Sequence, residues 1–173
     1  MPTLRERITA RIALLARPRV PETLPVKLDR RRVYVVPTRF GLFFTALLFA
    51  MLLGALNYNN NPALLLALLL GATGLASLIA AHLQLSGLRV DALSAEPVAA
   101  GTSLQVHVAL SAGDARARRG LQLRAADVQT TVPALTSEAV VAALEVETHQ
   151  RGWLDLGRLR ISSTQPLGLA FAW

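Results

Sequence analysis

Between Phe40 and Leu88 the chain carries no aspartate, glutamate, lysine or arginine. Two apolar runs lie inside this block, residues 40–56 and 63–81, separated by Asn57-Tyr58-Asn59-Asn60-Asn61-Pro62. As helices rising about 1.5 Å per residue they extend roughly 25 and 28 Å, close to the ~30 Å hydrocarbon thickness of a bilayer. A helix that is apolar on every side needs either a large protein or lipid around it. A chain of 173 residues has too little left over to wrap two of them. The block therefore predicts a transmembrane helical hairpin over residues 37–84. A secretory signal fits less well, because the first run begins only after an N-terminal stretch of 39 residues and no small-x-small cleavage pattern follows it.

The connector has the chemistry of a tight turn. Asn57, Asn59, Asn60 and Asn61 suit turn and cap positions, with Asn61 expected as N-cap of the second helix and Pro62 at its first position. Small residues recur every fourth place, at Ala46, Ala50 and Gly54 in the first run and at Ala63, Ala67 and Gly71 in the second. Such strips allow close helix approach, either within the hairpin or against a second copy of the chain. Neither run contains an acid, a base or a histidine that would suggest transport.

Charge sets the orientation. Residues 1–39 hold ten basic residues against three acidic ones, whereas the remainder holds eight of each. Arg30, Arg31, Arg32 and Arg39 stand just before the first run and the connector has no basic residue, so both ends of the hairpin are expected in the cytoplasm. The neutral remainder argues against a nucleic-acid partner. Within the basic arm, residues 1–36, the spacing of Leu4, Ile8, Ile12 and Leu15 permits a short amphipathic helix over 3–16 lying on anionic lipid. A solvated tail is equally compatible, since Pro18, Pro21 and Pro25 interrupt any continuation.

After residue 85 the pattern becomes alternation. Leu104, Val106, Val108 and Leu110 form one period-two series. Others are Leu121, Leu123 and Ala125, then Val140, Ala142, Leu144 and Val146, and finally Leu159 and Ile161. Turn signals at Glu96-Pro97, Gly101, Gly113-Asp114, Pro133 and Gly157 separate them. Six or seven strands in about ninety residues predict a small immunoglobulin-like β-sandwich over 85–173. The fold class is thus α+β, a two-helix hairpin followed by an all-β domain. A helix over 137–147 competes, but Val140, Val141 and the strict alternation favour strand.

No constellation for chemistry emerges. The chain has no cysteine, and His82, His107 and His149 share no metal-ligand spacing. Glu145 and Glu147 share the solvent face of a strand with no partner groups, and Ser162-Ser163-Thr164 lacks the glycine-flanked elbow of a serine hydrolase. No catalytic residue, cofactor or metal is expected.

Several short segments occur in the order found in a bacterial membrane-protein family. They are Val36-Pro37-Thr38-Arg39-Phe40-Gly41-Leu42-Phe43-Phe44 with Leu56 and the asparagines of the connector, then His149-Gln150-Arg151-Gly152-Trp153, Leu159-Arg160-Ile161-Ser162, and Pro166-Leu167-Gly168-Leu169 before Trp173. Over residues 30–173 the chain resembles the family called domain of unknown function 58. The resemblance implies a two-helix anchor in the bacterial inner membrane, a β-sandwich, and a von Willebrand factor A-like domain that residues 1–173 do not include. It also implies partnership with MoxR-type AAA+ ATPases or von Willebrand A proteins. Ala170-Phe171 departs from the basic residue usual before the tryptophan. Arg151, Gly152, Pro166, Gly168 and Trp173 carry the later part of the resemblance, with the two glycines expected at a strand bend and a turn.

These features lead to an expected function. The chain reads as a non-enzymatic, membrane-anchored scaffold or adaptor presenting a cytoplasmic β-sandwich to protein partners. The alternative is an oligomerising hairpin subunit of an envelope or export complex.

Overall fold

Apolar side chains on alternate residues have one way to leave water, which is to line one face of a sheet that packs on another. The computed structural model describes residues 23–125, 127–136 and 138–173. Among the described residues there are nine strands, the longer of which alternate more and less buried side chains in this way. They are β1 (Val26–Lys27), β2 (Val35–Pro37), β3 (Leu88–Ala95), β4 (Ser103–Ala112), β5 (Leu121–Ala125), β6 (Val128–Thr131), β7 (Val140–Glu147), β8 (Arg160–Ser163) and β9 (Ala170–Ala172). They form two antiparallel sheets, of order β1-β3-β4-β7 and β2-β9-β8-β5-β6. Val106, Val108, Leu110 and Leu144 from the first sheet and Leu121, Leu123, Ile161 and Ala172 from the second belong to one buried cluster. The stretch 140–147 is strand and not helix, paired along its length with β4.

The domain boundary drawn from sequence before the hairpin is corrected. Residues expected to lie in a basic arm instead enter the sheets, with Val26 opposite Val90 and Val35 opposite Ala172. Val33, between these strands, is buried in the common core. The β domain therefore begins before the helices, and the hairpin is an insertion between β2 and β3. Pro37 is accommodated because β2 is an edge strand, where a missing N–H breaks no ladder. The amphipathic helix considered for 3–16 lies outside the described residues.

The two helices are α1 (Arg39–Asn57) and α2 (Asn61–Leu85), both long and apolar enough to cross a membrane. Their connection is a Schellman turn. Asn59 adopts φ 49°, its N–H bonding Leu56 O at 3.3 Å, while Asn60 N–H reaches back to Ala55 O at 2.9 Å. Asparagine tolerates this left-handed backbone better than most residues. The N-cap of α2 is Asn60 and not Asn61. Its backbone is extended and its Oδ1 accepts from Ala63 N–H at 3.1 Å, which puts Asn61 and Pro62 inside the first turn.

Between the helices the small-residue strips behave unequally. Large side chains of α1 enter glycine gaps of α2: a Cβ on Gly74 would stand 3.2 Å from the Phe44 ring, and one on Gly71 would stand 3.4 Å from Leu48. Ala67 is buried and Ala63 half-buried in the same seam. Ala46 and Ala50 are exposed, and a Cβ on Gly54 would meet nothing within 4 Å. The α1 strip is thus turned away from α2, because Phe44 and Leu48 occupy the facing side.

Candidate functional site

An α-helix ends with carbonyls that lack partners and with a partial negative charge. In its last turn α2 carries only His82 as a basic residue, so the compensating cation has to come from elsewhere. It comes from Arg118, in the loop between β4 and β5. This side chain is 1% exposed. Its Nε donates to Gln84 O at 3.0 Å and its Nη2 to Ser86 O at 2.8 Å, the two carbonyls that flank the helix end. Its Nη1 donates to Asp114 Oδ1 at 2.7 Å and to Arg116 O at 3.3 Å. Backbone bonds between Arg118 and Leu135, 2.7 and 2.9 Å long, fix the arginine to the β domain. The guanidinium fork suits this task because several donors leave one rigid plane in different directions. The hydrogen bond from Arg118 holds the Asp114 carboxyl below its usual range, with the charges of Arg118 and Arg116 acting in the same direction and partial burial opposing them.

The start of α1 is fixed by a different device. The Thr38 hydroxyl accepts from Gly41 N–H at 3.0 Å, capping the helix, and donates to Gly168 O at 2.5 Å. Thr38 N–H donates to Leu169 O at 2.9 Å. One residue thus satisfies the helix end and ties it to the segment before β9. Gly41 makes the approach feasible, since a Cβ there would lie 2.0 Å from Leu169 O. Gly168 adopts φ 69°, a conformation that glycine reaches without steric cost. Next to it β2 and β9 close with reciprocal bonds of 3.0 Å between Tyr34 and Trp173, whose rings stack with centroids 6.1 Å apart.

The structure brings together part of what the sequence singled out. Gly168 lies at the α1 junction, its carbonyl accepting from Thr38, and Trp173 closes the same segment against Tyr34; Pro166 stands two residues before Gly168. Arg151 and Gly152 do not; they sit in the exposed stretch before β8, where Gly152 adopts φ 125°. Arg30, Arg31 and Arg32 form a 3-10 turn between β1 and β2, and Arg39 opens α1. His82, His107 and His149 belong to α2, β4 and the segment after β7. Glu145 and Glu147 are exposed on the outer face of β7, with Glu147 at 3.9 Å from His149. Ser163 has a structural role, its hydroxyl donating to Gly120 O and accepting from Gln165 N–H.

Among the described residues no group of three or more His, Cys, Asp or Glu is placed to hold a metal. An apolar cleft of about 60 Å³, lined by Val106, Leu144, Leu156 and Leu159, lies between the sheets. It is well below the size of small-molecule sites, about 300 Å³ and upward. The sequence does not distinguish Arg118, one of three arginines in residues 116–119. The available signal was the near-absence of basic residues in the last turn of α2. No protein-family model, curated protein or solved structure matches this chain.

Proposed function

We propose that this chain is a non-enzymatic membrane-anchored adaptor. In this reading the hairpin crosses the bacterial inner membrane, residues 57–62 face the far side, and both chain ends lie in the cytoplasm. The two sheets, read more finely as an immunoglobulin-like sandwich, are then held at the membrane surface for a protein partner. The observation that carries this is the insertion of an apolar hairpin into the β domain, tied down at each end by Thr38 and by Arg118. Phe43, Phe49, Leu65 and Ile79 are each at least 60% exposed, and apolar surface of that extent requires lipid or protein around it. Arg30, Arg31, Arg32 and Arg39 support a cytoplasmic base. The resemblance noted above makes a MoxR-type AAA+ ATPase or a von Willebrand A protein the proposed partner class.

A reporter inserted at Asn60 tests the topology. A domain active only outside the cytoplasm is expected to be active there, and a cytoplasmic signal overturns the hairpin reading.

A second reading is favoured by the uncovered strip of Ala46, Ala50 and Gly54. Here the hairpin itself assembles into an oligomer of an envelope or export complex, through α1 faces that α2 leaves free. The double variant Ala50→Leu/Gly54→Leu separates the two. The adaptor reading expects an unchanged mass in mild detergent and a retained partner; the oligomer reading expects collapse to the monomer. Size-exclusion chromatography with light scattering makes the measurement.

A further inference from the structure

We propose that the helix end of the β domain is a docking surface for anionic lipid headgroups. This rests on the membrane-spanning reading and adds to it a preference for one class of lipid.

Charge is distributed very unevenly over the described residues. The segments adjoining the helices, residues 23–41, 82–91 and 112–120, hold nine basic residues against three acidic ones, Asp29, Asp91 and Asp114. All other described residues together hold four basic and six acidic ones. The fold gathers these three segments at one end. Gly87 N–H, two residues past α2, donates to Leu28 O at 2.9 Å, and Lys27 pairs in register with Arg89. Arg118 draws the 112–120 loop to the same helix end.

Two of the three acids are already engaged, Asp114 with Arg118 at 2.7 Å and Asp91 with Arg89 at 3.8 Å. Arg30, Arg31, Arg39 and Arg119 are exposed, and none makes an ion pair with a described residue. Arg39 is also on the wrong end of its helix. A cation at an α-helix N-terminus is opposed by the macrodipole, and no acid in the first turn of α1 offsets it. Lipid phosphodiesters supply the missing negative charge. Net-anionic lipids are favoured over zwitterionic ones because the surface potential scales with net headgroup charge and acts within a Debye length of about 8 Å.

The test uses the full chain in mild detergent, supplied with equal amounts of phosphatidylglycerol and phosphatidylcholine, with retained lipid counted by native mass spectrometry. Each arginine near an anionic surface contributes on the order of a five-fold preference. Phosphatidylglycerol is therefore expected to exceed phosphatidylcholine several-fold. Arg30→Gln/Arg119→Gln is expected to lower that ratio several-fold, and inorganic phosphate is expected not to displace the lipid. Arg158→Gln/Arg160→Gln, at exposed positions outside the three segments, is the control and leaves the ratio unchanged.

Equal retention of the two lipids overturns the proposal, as does an equal loss in the control variant. Displacement by inorganic phosphate overturns it in favour of a simple anion site. Alkaline carbonate extraction separates this from failure of the membrane reading. A chain released from membranes sinks the hairpin itself, whereas a retained chain without lipid preference sinks only the docking surface.

Discussion

Replacing Arg118 with leucine is expected to cost about 3–5 kcal/mol of stability, a loss assembled from identifiable parts. The carbonyls of Ser86, buried, and Gln84, half-buried, lose their charged donors, and an unsatisfied buried acceptor costs about 1–3 kcal/mol. The favourable interaction of a cation with the end of α2 disappears as well, a further ~0.3–1 kcal/mol. For a β domain of roughly one hundred residues this corresponds to a fall in apparent melting temperature of more than about 10 °C. Tryptophan fluorescence of the detergent-solubilised chain measures it. Lysine at this position is expected to recover only part of the loss, because one ammonium does not span the directions that the guanidinium serves. A variant within about 1 kcal/mol of the parent would mean that Arg118 does not hold the helix to the sheets.

The same arginine gives the junction a pH dependence of defined sign. Asp114 is held below its usual range in the folded chain, chiefly by the Arg118 hydrogen bond. The corresponding stability is present in full above the unfolded carboxylate value, about pH 4. It is lost as the pH falls through the lower folded value. Asp114 is partly exposed, so water screens the pair and the acid limb is shallow. Asp114→Asn is expected to remove that contribution to the acid limb, and Arg118→Leu to reduce it to the smaller part that Arg116 supplies.

How far the sequence discloses this architecture depends on whether a feature is local. The helices are legible because their signal is an uninterrupted apolar run, and β4, β5, β7 and β8 because four or more alternating residues define a period. Strands β1, β2 and β9 contain two or three residues each. No period exists in so short a stretch, and these strands are defined by distant partners, as with Val35 opposite Ala172. The insertion of the hairpin into the β domain was hidden for the same reason. Spacing alone also leaves the partner of the α1 strip open. Ala46, Ala50 and Gly54 match the small-residue pattern, yet the contact made is Phe44 and Leu48 into Gly74 and Gly71, a fit of large into small that requires knowing both helices.

Gly41→Ala is the second substitution with a large expected effect, and Gly54→Ala in the same helix is its internal control. At Gly41 an added methyl would stand 2.0 Å from Leu169 O and 2.9 Å from Leu169 C. These are backbone atoms that no side-chain rotation moves aside. Relief requires α1 to withdraw from the segment before β9, which breaks the Thr38 bonds to Gly168 O and Leu169 O. Overpacking against a fixed backbone together with loss of these two hydrogen bonds predicts destabilisation of about 3 kcal/mol. At Gly54 an added methyl meets nothing within 4 Å, and alanine is the better helix former by roughly 1 kcal/mol. The two variants differ from the parent by the same single methyl, so composition and helix propensity predict identical behaviour for both. Opposite signs in thermal unfolding identify the Leu169 contact as the cause. Matching signs would mean that α1 is not seated on the β domain at Gly41, and that the hairpin is held to the sheets through the α2 end, where Arg118 and the buried Leu85 lie.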